Sequence, residues 1–144
     1  VYSPKLTEIM AGAMMNLGVE RGFVVSGHDN MDEFTLTGSS TVSEIKDGKV
    51  TTYEVTPEQF GLSCCKLEDL QGGDGAVNAQ ITKNILSGKE QGPKRDIILL
   101  NAGAALYIGG KADSIKDGIA LAAQTIDSGK GLEVIENLVK LTNA

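Results

Sequence analysis

The run His28-Asp29-Asn30-Met31-Asp32-Glu33 gathers three carboxylates and the chain's only histidine on consecutive positions. Acids grouped in this way suit a hard cation such as magnesium, which takes one or two protein carboxylates and leaves its other positions to water and substrate phosphates. A metal bridge to a phosphorylated substrate is therefore one chemistry open to this run. The other reading is a solvated turn whose Asp and Asn side chains bond their own backbone, and composition leaves both open. His28 could serve as a general acid or base, but spacing identifies no partner for it. A sole histidine also excludes any centre built on two imidazoles, including most catalytic zinc sites.

Three other stretches invite a chemical reading and admit a plainer one. Gly72-Gly73-Asp74-Gly75, ahead of a helix, has the look of a phosphate cradle. It lacks the lysine-hydroxyl pair of a P-loop and puts Asp74 where the phosphate would sit, so a helix cap is expected. Thr37-Gly38-Ser39-Ser40-Thr41 is a hydroxyl-rich turn that reads as a solvated connection. Cys64-Cys65 lacks the two-residue gap of a zinc knuckle and has no local histidine, and reads as a structural pair rather than a nucleophile.

These side chains need elements to hold them. Ser3-Pro4 predicts a serine-capped helix over 4–17, with Leu6, Ile9, Met10, Ala13, Met14 and Leu17 recurring at helical spacing and Gly18 as the stop. Gly22–Gly27 is a short apolar run between glycines, the pattern of a strand covered on both faces. The acidic run then lies at that strand's carboxyl end, where ligands of α/β sheets gather. Thr41–Lys46 and Lys49–Val55 flank Asp47-Gly48 and predict an antiparallel hairpin. Thr56-Pro57-Glu58-Gln59 predicts one helical turn ended by Gly61, and 64–74 reads as a loop. Four helices should follow, from Asp74 to Gly88, from Pro93 to Gly109, from about Asp113 to Gly129, and from Ser128 or Lys130 to Thr142. Within the second, 97–108 is apolar nearly all round and predicts a buried central helix. The sum is one α/β domain over residues 1–144, with a small mixed sheet, a β-hairpin and about five or six helices.

Thirteen Lys and Arg against nineteen Asp and Glu give a net charge of −6, which opposes a nucleic-acid surface. The longest apolar stretch, 97–110, is shorter than the roughly 18 to 20 residues a membrane span needs. With no initiator methionine at Val1 and no basic-then-apolar leader, the chain reads as part of something longer, and its cysteine usage as intracellular.

The same residues bring a family into view. Val24-Val25-Ser26-Gly27-His28-Asp29-Asn30-Met31-Asp32-Glu33, followed by Thr37-Gly38, resembles the strand, Asp-Glu turn and Thr-Gly segment of the anthranilate phosphoribosyltransferases. Val1-Tyr2-Ser3-Pro4, the stretch from Thr56 to Leu62, Gly72-Gly73-Asp74, Asn78-Ala79, 85–88 and the stretch from Arg95 to Ala102 match further segments in the family's order, so the resemblance covers essentially all 144 residues. It implies the carboxy-terminal part of a nucleoside phosphorylase and phosphoribosyltransferase-like α/β domain, without the amino-terminal helical part and its Gly-Thr-Gly-Gly-Asp phosphate loop. It also implies the transfer of phosphoribosyl from phosphoribosyl pyrophosphate to anthranilate, with magnesium-assisted loss of pyrophosphate, in cytoplasmic tryptophan biosynthesis by a homodimeric enzyme. Asp32 and Glu33 match the family's magnesium-binding acidic pair. No catalytic residue or organic cofactor site carries over, and both substrates would be bound mainly by the absent part, leaving the isolated piece inactive. Ser26 stands where relatives more often carry a histidine, so no role reaches His28. A pyrimidine nucleoside phosphorylase-like enzyme is the alternative, opposed by the acidic pair, and a nucleic-acid-binding relative is another, opposed by the negative charge.

Overall fold

A computed structural model describes residues 1–143. Three strands, β1 (Gly22–Gly27), β2 (Ser40–Lys46) and β3 (Lys49–Val55), form a sheet in the order β1-β2-β3. Six α-helices accompany it: α1 (Thr7–Asn16), α2 (Leu67–Leu70), α3 (Gly75–Leu86), α4 (Pro93–Ile108), α5 (Ile115–Asp127) and α6 (Lys130–Thr142). The hairpin forms where expected, with Asp47 and Gly48 both left-handed at φ 51° and 71°, the geometry that matches strand twist across a two-residue turn.

The sheet departs from the mixed one expected: among the described residues both pairings are antiparallel. The reason is the return path. Residues 28–39 form no helix and bring the chain straight back alongside β1, pairing Gly27 with Ser40 and Gly22 with Ile45, whereas a parallel neighbour needs a crossover that returns to the other end of the strand, usually through a helix.

The two faces of the sheet are covered separately. On one face α1 buries Ala11 against Val24 and Ile45, and the Ser43 hydroxyl donates to Thr7 Oγ1 at 2.9 Å. On the other, Val42 and Val55 meet Leu99, Leu100 and Ala104 of α4 and Ile115, Ile119, Ala122 and Ile126 of α5. β1 is thus covered on both sides, Val24 toward α1 and Phe23 and Val25 toward the larger core. Alternation sends β2 side chains to both layers in the same way.

Three local expectations are corrected. Ser3 occupies the cap position but its hydroxyl makes no capping bond; the first turn is a 3-10 turn over Pro4–Leu6, and Thr7 Oγ1 donates to the Pro4 carbonyl at 2.9 Å. The segment after Cys64 is not all loop, because Asp69 Oδ2 accepts from the Lys66 amide at 2.9 Å and starts α2. Helix α4 buries Leu99, Leu100, Gly103 and Ala104, yet Ile98 and Ala105 are exposed, so it has one open flank. On α6, Leu132 and Ile135 are half-buried while Leu138 and Val139 are exposed.

Helices α4 and α5 approach closely enough to require glycine. A Cβ on Gly103 would lie 2.6 Å from the Ile119 backbone nitrogen. Buried Arg95 pairs with Asp127 across the same two helices at 2.8 Å. Among the described residues, no helix is long and apolar enough to cross a membrane.

Candidate metal-binding loop

The loop between β1 and β2 lacks repeating structure but is held by side chains. Asp29 turns back toward the protein: the Thr35 and Thr37 hydroxyls donate to its Oδ2 at 2.7 and 2.6 Å, and the Met31 amide donates to Oδ1 at 3.1 Å. Burial is the largest single influence on this carboxyl and pushes its pKa up, but the two hydroxyls and the amide together hold it below the usual carboxylate range. Gly27 makes room for it, since a Cβ there would lie 2.5 Å from Asp29 Oδ1. Further bonds close the base of the loop, with the Thr35 amide donating to Ser40 Oγ and the His28 amide to the Ser39 carbonyl, each at 3.0 Å.

Helix α4 holds the loop from the other side. Asn101 Oδ1 accepts from the Phe34 amide at 3.1 Å, and Nδ2 donates to the Phe34 carbonyl at 3.1 Å and to the Ile97 carbonyl at 3.0 Å.

Between these braces Asp32 and Glu33 are exposed, and among the described residues neither is paired with a cation. They border a depression of about 480 Å³ whose walls include Val25, Phe34, Asn101 and Ala104. Partial burial of the Glu33 carboxyl, then the negative charges of Asp32 and Asp29, push its pKa up. Adjacent acids with no compensating base are a donor set that could hold a cation. Two carboxylates facing solvent suit magnesium, which keeps several waters. The described residues hold no cluster of three or more metal-ligating side chains, so the site offers a pair and no more.

The three acids of the sequence therefore divide: Asp29 builds the loop in the way a solvated turn would, while Asp32 and Glu33 remain available. His28 is exposed, with its ring over Gly38, where a Cβ would lie 2.5 Å from Cε1, and it does not join them. Thr37 and Ser40 spend their hydroxyls on the loop itself. Asp74 caps α3, accepting from the Val77 amide at 2.9 Å. Both cysteines are free; the Cys64 thiol donates to Glu58, and that bond is the main cause raising its pKa, which is wrong for a nucleophile. Sequence reasoning passed over Asn101. Its one signal was a carboxamide standing alone in an apolar helical stretch.

Residues 1–132 match the model of the glycosyl transferase family, a/b domain. The chain belongs to this family. As a glycosyl transferase α/β domain it is 50% identical over 144 residues to the anthranilate phosphoribosyltransferase of Desulfosudis oleivorans, covering 100% of this chain and 42% of that protein. Its fold matches the crystal structure of anthranilate phosphoribosyltransferase from Thermus thermophilus with a TM-score of 0.90 at 40% identity, again over 100% of this chain and 42% of the other. The Saccharomyces cerevisiae enzyme, solved in complex with PRPP and Mg, gives a TM-score of 0.83 at 30% identity over 94% of this chain and 39% of that one. The chain spans about two fifths of the length of these relatives.

Proposed function

We propose that this chain is the carboxy-terminal part of the α/β domain of an anthranilate phosphoribosyltransferase, which moves phosphoribosyl from phosphoribosyl pyrophosphate to the amine of anthranilate and releases pyrophosphate, a cytoplasmic step of tryptophan biosynthesis. The observation that carries this reading is the uncompensated Asp32–Glu33 pair on a braced loop, in a domain whose yeast relative was solved with PRPP and Mg.

Asp32 and Glu33 would hold magnesium through one carboxylate each. When bound, the ion supplies positive charge to the departing pyrophosphate, where negative charge develops in the transition state. The chain's own contribution is placement. Asp29 shapes the turn, Asn101 and the core hold its far end, and the open rim leaves space for phosphate oxygens beside the acids. The reaction needs no protein nucleophile, which agrees with an outward His28 and a thiol held protonated by Glu58. The main contacts to phosphoribosyl pyrophosphate and anthranilate, and those of a homodimer, belong to parts of the enzyme outside these 144 residues.

In the complete enzyme, Asp32→Asn combined with Glu33→Gln should lower turnover by about 100-fold or more, the order of loss seen when preorganised charge stabilisation is removed. Circular dichroism should be unchanged, because both side chains are exposed. Unaltered turnover at saturating magnesium would sink the proposal.

A further inference from the structure

We infer that Asn101 is a positioning residue for the divalent cation, fixing the Asp32–Glu33 pair from the opposite layer of the fold; the inference rests on the magnesium reading of that pair. Phe34 directly follows Glu33, so its amide closes Glu33's own peptide unit. Asn101 grips both polar groups of Phe34, accepting from the amide and donating to the carbonyl, each at 3.1 Å. A side chain thereby makes the two-point contact that a neighbouring strand would make, restraining the orientation of the backbone as well as its position. The third bond, Nδ2 to the Ile97 carbonyl one turn back on α4, fixes the rotamer of Asn101 itself.

A carboxamide amid the apolar residues of a helix is costly unless its bonds are made. Here both ends of the amide are used, and the residue they address borders the acidic pair. Phe34 is in turn 2% exposed and packs edge-on against Phe23, with ring centroids 6.0 Å apart, so the gripped residue is anchored in the core. The same side chain walls the depression that Asp32 and Glu33 border. Cation sites depend on ligand spacing, and outer partners that orient ligands typically affect affinity ten- to a hundredfold.

The test uses the complete enzyme with Asn101→Leu, which keeps the branched side-chain shape without its polar atoms, and Asn101→Ala. The probe is Mn²⁺ alone, the free ion counted by electron paramagnetic resonance and displaced by Mg²⁺. Both variants should bind Mn²⁺ about ten- to a hundredfold more weakly. Ile126→Val, a core truncation on α5, should lower the melting temperature without moving that affinity. Hydrogen exchange at the Phe34 amide should be slow in the unmodified enzyme and, in the Asn101 variants, fast relative to the core amides of β2, a difference that global destabilisation alone does not produce. Undiminished Mn²⁺ affinity in folded Asn101→Leu overturns the inference, as does fast Phe34 exchange in the unmodified enzyme. Intact binding in the Asp32→Asn, Glu33→Gln enzyme refutes the magnesium reading itself. Loss there with no change in Asn101→Leu refutes only the positioning role.

Discussion

The loop over 28–39 and the α3–α6 pair reverse the usual association of regular structure with firm anchoring. The loop has no helical or strand bonds of its own, yet Phe34, Thr35 and Leu36 are 2%, 1% and 0% exposed. Helix α6 has an unbroken helical backbone and no buried residue, with Leu141 79% exposed, and α3 buries only Ile85. In the loop most anchoring bonds run to a side chain or to another layer, so moving it disturbs the core. In α6 the bonds are internal, so the helix can leave its neighbour with those bonds intact. Anchoring here follows burial and polar satisfaction rather than the repeat of the backbone.

The comparison breaks most directly at its anchors. Phe34→Ala should destabilise the protein by about 3–5 kcal/mol as a large core truncation, whereas Leu138→Ala on α6, 53% exposed, should cost no more than about 0.5 kcal/mol. Urea denaturation of the two variants measures the contrast, and equal costs would abolish it. A smaller effect concerns Asp29, whose folded pKa lies below its unfolded one. Its ionised form therefore stabilises the fold above the unfolded pKa, and that contribution disappears as pH falls through the folded value. Asp29→Asn should lower the melting temperature at pH 7, with the gap closing below about pH 4. A gap that persists unchanged at pH 3 would deny the carboxylate its bracing role. The smallest effect is the control: Glu58–Cys64 is a polar bond between two exposed residues. Glu58→Gln should leave stability within about 0.5 kcal/mol. It should nevertheless speed Cys64 alkylation at neutral pH, because the carboxylate that holds the thiol protonated is gone.

What the sequence could disclose follows the distance over which each feature is decided. The hairpin was legible because Asp47-Gly48 settles it within two residues, and α3 because Asp74 caps a helix three residues from the amide it binds, while the start of α5, expected at about Asp113, is set by Ser114. The acidic pair was visible as adjacent letters. Its separation from Asp29 was not, since that depends on hydroxyls six and eight residues on folding back. Asn101 lies 67 residues from the peptide it grips, and no local pattern encodes that meeting. Strand sense failed for the same reason: the apolar run of β1 reports burial on two faces, which a parallel strand shares, and says nothing of the direction of its partner.

Helix α4 is confined on two sides by contacts that tolerate only one spacing. Gly103 and Asn101, two residues apart, project about 200° from one another around the axis. One lets α5 come in to backbone contact; the other reaches the loop with bonds already at 3.1 Å. The helix therefore works as a shim between α5 and the loop. A methyl group added at Gly103 has no room on the α5 side, so the two helices must part there. Substitutions that touch neither the loop nor its acids can thus shift the helix that braces it, and the stretch of sequence answerable for the loop's geometry is far longer than the few letters that announce it.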